Sequence, residues 1–119
     1  MWLCTQHGFY SIVQKGEDEF HIRARLRRDL ENLQKLGGWK WKIHRSLNAD
    51  YRFRAVVTRR EIAPVFMKLC EAINYSNFKG RIHELPDQRG KGDAYSGFWH
   101  SMWSVQARAE ESESGSGRQ

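Results

Sequence analysis

Three short stretches of this 119-residue chain alternate strictly between apolar and polar positions. In Phe20-His21-Ile22-Arg23-Ala24-Arg25-Leu26 the apolar residues take the even positions. Trp39-Lys40-Trp41-Lys42-Ile43-His44 and Tyr51-Arg52-Phe53-Arg54-Ala55 repeat the pattern on odd positions. A period of two is that of a half-buried antiparallel strand, with one face in a core and the other in water. The watered positions are His21, Arg23, Arg25, Lys40, Lys42, His44, Arg52 and Arg54, and their charged members are all cations. The chain holds 20 basic and 14 acidic residues, so a random draw would do this about one time in 25. Alternate residues of a strand stand about 7 Å apart. Cations at that spacing on one sheet face suit a phosphate backbone, and these eight residues form the candidate nucleic-acid-binding face.

The remaining pattern supplies helices and turns. Trp2 to Lys15 reads as one strand broken near Gly8 or as two short ones, and Gly16-Glu17-Asp18-Glu19 turns it into the strand at Phe20. Leu26, Leu30 and Leu33 mark one face of a short helix closed by Gly37-Gly38. Thr58-Arg59-Arg60-Glu61 has capping-box spacing, and Ile62, Val65, Phe66, Leu69, Cys70 and Ile73 define the helix it starts, with Pro64 in the second turn. In Asn74-Tyr75-Ser76-Asn77-Phe78-Lys79-Gly80, Asn74 or Asn77 is expected to cap that helix in the left-handed conformation while Phe78 packs back on the core. Leu85 to Gly92 reads as a mobile loop. Asp93 opens a last helix in which Tyr95, Trp99, Met102 and Trp103 share a face. Phe98 falls off that face, and Phe98, Trp99 and Trp103 are the candidate protein-interaction residues. The order β-β-α-β-β-α-α implies an α+β two-layer sandwich, an antiparallel sheet of about four strands with two or three helices on one face. Residues 1–107 form a single domain, and 108–119 a disordered Ser/Gly/Glu tail.

Composition narrows the setting. The net charge is +6, and the body without its Glu-rich end is more basic still. Cys4 and Cys70 show no metal-type spacing and read as free thiols of a reducing cytoplasm. No apolar run approaches the ~18 residues of a membrane span, and the first residues lack a secretory pattern. His7, His21, His44, His83 and His100 make no HExxH or i, i+4 pair, so neither a metal nor a cofactor is expected.

Several segments together resemble a family of short uncharacterised bacterial proteins, many of them cyanobacterial. They are the opening Met-Trp-Leu-Cys-Thr-Gln-His-Gly-Phe-Tyr-Ser-Ile-Val, Ile22-Arg23-Ala24-Arg25 with Asp29-Leu30-Glu31, Ala49-Asp50-Tyr51-Arg52, Tyr75-Ser76-Asn77-Phe78-Lys79 and the Tyr95…Trp99…Met102 ending. The resemblance implies one domain in a bacterial cytoplasm and carries no activity. From the residues, the expected function is a small non-enzymatic module that binds RNA or another single strand, alone or within a larger ribonucleoprotein. The outer positions carry no clear aromatic for base stacking, Tyr10 being the one candidate. The alternative is a protein-interaction adaptor that meets an acidic partner or docks through its aromatic last helix. A third option, a nuclease, would use His21 and His44.

Overall fold

In the computed structural model, which describes residues 1–117, the chain divides into two compact units that meet in sequence at Ser76 and Asn77. The first unit holds a five-stranded antiparallel sheet: β1 (Trp2–Cys4), β2 (Phe9–Gly16), β3 (Glu19–Ala24), β4 (His44–Arg45) and β5 (Phe53–Val57). Their spatial order is β1-β2-β3-β5-β4. Helices α1 (Arg27–Gly37) and α2 (Arg59–Glu71) pack on β3 and on each other. The architecture is α+β, with the helices of this unit covering one sheet face.

Alternation accounts for the core. Tyr10, Ile12, Phe20, Ile22, Ala24 and Val57 point to the helices and meet Leu30 and Leu33 of α1 and Ile62 and Val65 of α2, all buried. Complete burial of such side chains is worth ~1.5–3 kcal/mol each. The Tyr10 hydroxyl reaches the Asp29 carbonyl of α1 at 2.6 Å, so this tyrosine belongs to the core and offers nothing to solvent.

Of the two readings of Trp2 to Lys15, the structure has the second, two strands separated near Gly8. The Thr5 hydroxyl donates to the Gly8 carbonyl and accepts from the His7 and Gly8 amides, closing a tight turn between β1 and β2. A departure concerns the Trp39 stretch, of which only His44 joins the ladder, followed there by Arg45. Gly38 closes α1 at φ +71, the Trp39 amide returns to the Gln34 carbonyl, and the Trp39 ring lies where a Gly37 Cβ would stand. That anchorage holds residues 39–43 beside the end of α1. Their alternation survives as burial: Trp39, Trp41 and Ile43 are half-buried, Lys40 and Lys42 exposed. Leu26 likewise leaves the strand pattern, becoming the exposed N-cap of α1.

Helix α2 starts as its sequence indicates, with the reciprocal Thr58–Glu61 capping box, and it carries Pro64 internally. It ends at Glu71, which leaves Ile73 exposed.

The second unit contains α3 (Phe78–Glu84), a 3₁₀ turn at Arg89–Lys91 and α4 (Gly92–Gly117). Asn77 is the N-cap of α3, its side chain accepting the Gly80 amide at 2.7 Å. No non-glycine residue among those described has a positive φ, so neither Asn74 nor Asn77 takes the left-handed cap. Phe78 packs against Tyr95 of α4 with the rings tilted, their centroids 5.2 Å apart. The stretch read as a mobile loop is a hydrogen-bonded turn: the Gln88 and Arg89 amides both return to the Leu85 carbonyl. Helix α4 also continues through the segment from 108 where a disordered tail was expected; residues 118 and 119 lie outside the described part.

Candidate functional site

Strand register decides which residues share the sheet face opposite α1 and α2. Trp2 stands directly across from Ser11, Ser11 from Arg23, Arg23 from Arg54, and Arg54 from His44. Directly opposed residues of an antiparallel pair lie on one face. The row Trp2–Ser11–Arg23–Arg54–His44 therefore crosses all five strands, about 19 Å at the usual strand spacing. Adjacent to it, Val13, His21 and Val56 form a second row, and Cys4 pairs with Phe9 in a third.

The face is neither uniformly cationic nor free of aromatic rings. Trp2 is 65% exposed and meets Phe9 edge-on at 6.1 Å. Tyr51, expected within a strand, precedes β5, and its ring carries the guanidinium groups of Arg23 (4.7 Å) and Arg25 (4.4 Å). It is only 5% exposed, so the two arginines cover it. Each such contact contributes ~0.5–2 kcal/mol. Arg23 also donates to the Ser11 hydroxyl at 2.7 Å, while its buried Nε has no hydrogen-bond partner among the described residues. Arg23 is thus a rigid floor element, held between Ser11 and Tyr51.

Acidic groups temper the field. Arg25 approaches the Asp50 carboxylate at 3.5 Å and its carbonyl at 3.3 Å. Arg54 donates to His21 Nδ1 at 3.1 Å, and because a guanidinium only donates, the His21 proton sits on Nε2, which faces Glu19 at 2.8 Å. Both ring nitrogens of His21 are engaged, Nδ1 by Arg54 and Nε2 by Glu19. Cations outnumber acids locally, Arg23, Arg25, Arg52 and Arg54 against Glu19 and Asp50. Arg25 and Arg52 are exposed and Arg54 half-buried.

Lys40 and Lys42 do not join this row. They line a separate concavity of about 660 Å³ with Arg27 and Lys35 of α1, beside the stacked Trp39 and Trp41 rings (5.0 Å, 11°). His44 is on the row, exposed at its β4 end. Phe98, Trp99 and Trp103 lie exposed on α4, in the second unit.

The residues that sequence reasoning missed on this face are Trp2, Phe9 and Tyr51. The Thr5–Gly8 turn sets their phase: once β1 and β2 form a hairpin there, Trp2, Cys4, Phe9, Ser11 and Val13 fall on one side. Tyr51 left no such signal, because its alternation matches the half-buried Phe53 and the buried Ala55.

Among the described residues no group of His, Cys, Asp or Glu could hold a metal, and no helix is long and apolar enough to cross a membrane. Burial pushes the Cys4 thiol up from its ordinary range, against a nucleophilic role. No family model, curated protein or solved structure matches this chain.

Proposed function

We propose that the chain is a non-enzymatic module that binds single-stranded nucleic acid, RNA in the first instance, on the open face of its sheet. The observation that carries this reading is the five-strand row Trp2–Ser11–Arg23–Arg54–His44 with Phe9 beside it. An exposed indole and the cationic Arg23 and Arg54 share one face there. Single strands bind such surfaces by stacking unpaired bases on aromatic rings while cations follow the phosphates, each stacked base contributing ~1–3 kcal/mol. Trp2, backed by Phe9, is the stacking platform. Arg25, Arg52 and Arg54 reach phosphates, and Arg23 with Tyr51 forms the floor between them. A duplex hides its base faces within the stack and leaves the Trp2 ring nothing to stack on, so single strands are preferred.

The test is fluorescence anisotropy with labelled single-stranded RNA, single-stranded DNA and duplex DNA across roughly 50–300 mM salt, where counterion release is informative. Micromolar or tighter binding to single strands is expected, with Trp2→Ala losing about tenfold or more. The triple change Arg25→Ser, Arg52→Ser, Arg54→Ser is expected to weaken binding and to flatten the salt slope by about 0.7 for every phosphate no longer neutralised. Absent binding, or binding indifferent to all four positions, overturns the reading.

A further inference from the structure

Residues 39–43 run as irregular chain beside the end of α1, between the Trp39 amide on the Gln34 carbonyl and His44 in the ladder. The period of two there builds one lining from two kinds of side chain. Trp39 and Trp41 turn inward and stack, their ring planes 11° apart, and both stay half-buried. Lys40 and Lys42 alternate with them and are exposed. All four line the concavity of about 660 Å³, to which α1 contributes Arg27 and Lys35. That volume falls within the ~300–1,000 Å³ of small-ligand sites.

The charges in it are unbalanced. Arg27, Lys35, Lys40 and Lys42 meet a single lining carboxylate, that of Glu31. Glu31 approaches Arg27 at 3.9 Å, and among the described residues Lys35, Lys40 and Lys42 have no ion pair. Cations gathered round a concave, partly apolar wall focus their field into it, so the favoured ligand is an anion. The paired indoles add a second requirement. Aromatic rings at a binding surface hold planar rings by stacking, with little preference among bases. An ammonium on a flexible stem takes a phosphate as a point charge. A ligand that satisfies both carries a planar ring with phosphates a short distance from it. Nucleoside phosphates have that form. A bare anion leaves the indoles unused, and an acidic peptide brings carboxylates without the ring.

We propose that this concavity binds a free nucleoside phosphate, its base against the Trp39–Trp41 pair and its phosphates among Lys35, Lys40, Lys42 and Arg27. The site shares no residue with the open sheet face. It does not rest on the binding of single strands there, and the two stand or fall separately.

The experiment is isothermal titration calorimetry of the full chain at roughly 100 mM salt, with ADP as the probe and adenosine and pyrophosphate as its two halves. ADP is expected to bind at a single site with a Kd of about 10–100 µM, and each half at least about tenfold more weakly. Lys40→Ser with Lys42→Ser is expected to weaken ADP about tenfold or more. Lys15→Ser with Arg60→Ser removes the same charge from exposed positions outside the concavity and is expected to change nothing. Trp41→Leu keeps an apolar side chain against the core but removes the ring, and should bring ADP down to the affinity of pyrophosphate. Circular dichroism shows whether that variant folds; if it does not, the lysine pair and the two half-ligands decide. A wild type that takes up no ADP at about 1 mM, a half-ligand that binds as tightly as ADP, or binding indifferent to Lys40 and Lys42 overturns the proposal.

Discussion

The carboxylate of Asp29 sits at the join of β2 and α1, where its Oδ2 accepts the Phe9 amide at 3.2 Å. Its own carbonyl accepts the Tyr10 hydroxyl, so one buried residue ties the first turn of the helix to two consecutive strand positions. This closeness leaves no room at Gly8. A Cβ there would stand 2.5 Å from Asp29 Cβ and Cγ, well inside the 3.5–4 Å of an ordinary carbon contact. Gly8→Ala is therefore expected to destabilise the chain by about 1–3 kcal/mol, read as a lowered midpoint in urea with an unchanged slope. The sequence marked Gly8 as a break, but its reason for being glycine is a neighbour 21 residues away.

Among the elements, α2 was the most legible, because its signals are local. Thr58 accepts the Glu61 amide at 3.2 Å, and the Glu61 carboxylate accepts the Thr58 amide at 2.9 Å. Invisible in sequence was the third acceptor: Asp18, in the β2–β3 turn, takes the Arg59 amide at 2.8 Å. The two acids also offset the cations Arg59 and Arg60, which the helix dipole disfavours at this end. Arg59 is further held over the Phe20 ring, at 4.7 Å. Thr58→Ala should cost about 1 kcal/mol, as cap removals do. Asp18→Ala should cost less, and the double change should fall short of the sum because both acceptors serve one helical turn. Guanidinium unfolding of the four chains checks this. The Trp39 segment is the converse. Its period of two was right about which side chains turn inward, where Trp39, Trp41 and Ile43 are half-buried, and wrong about what pairs with them, because the end of α1 competes for the indole. Helix α4 outran its composition in the same way: Gln106 donates to Glu110 at 2.9 Å, an i, i+4 pair that carries the helix into residues read as a tail.

At the scale of the whole chain, a net charge of +6 acts on an anionic partner at long range whichever face does the binding. Contact and field separate in one comparison. Lys40 and Lys42 belong to the concavity beside α1, so Lys40→Ser with Lys42→Ser should slow association modestly at low salt yet leave the salt slope of single-strand binding within about 0.7 of wild type. Stopped-flow and equilibrium titration on the same strand give both quantities, and a slope lowered as far as by the Arg25, Arg52 and Arg54 changes would place the phosphates in the concavity instead. Periodicity and capping spacing, read from the chain alone, determined the α+β class, the antiparallel pairing, the start of α2 and most of the core, because these depend on side chains within a few residues of one another. They also picked out Arg23, Arg25, Arg52 and Arg54 as outward-facing. Tertiary structure alone decided that Glu19 and Asp50 come to lie among those cations, that Tyr51 folds beneath two of them, and that Trp2 and Phe9 share their face. It likewise sent Lys40 and Lys42 elsewhere. Each of those facts depends on strand register and on where the chain leaves the sheet, which are set by pairings between residues far apart in the chain that no local pattern encodes.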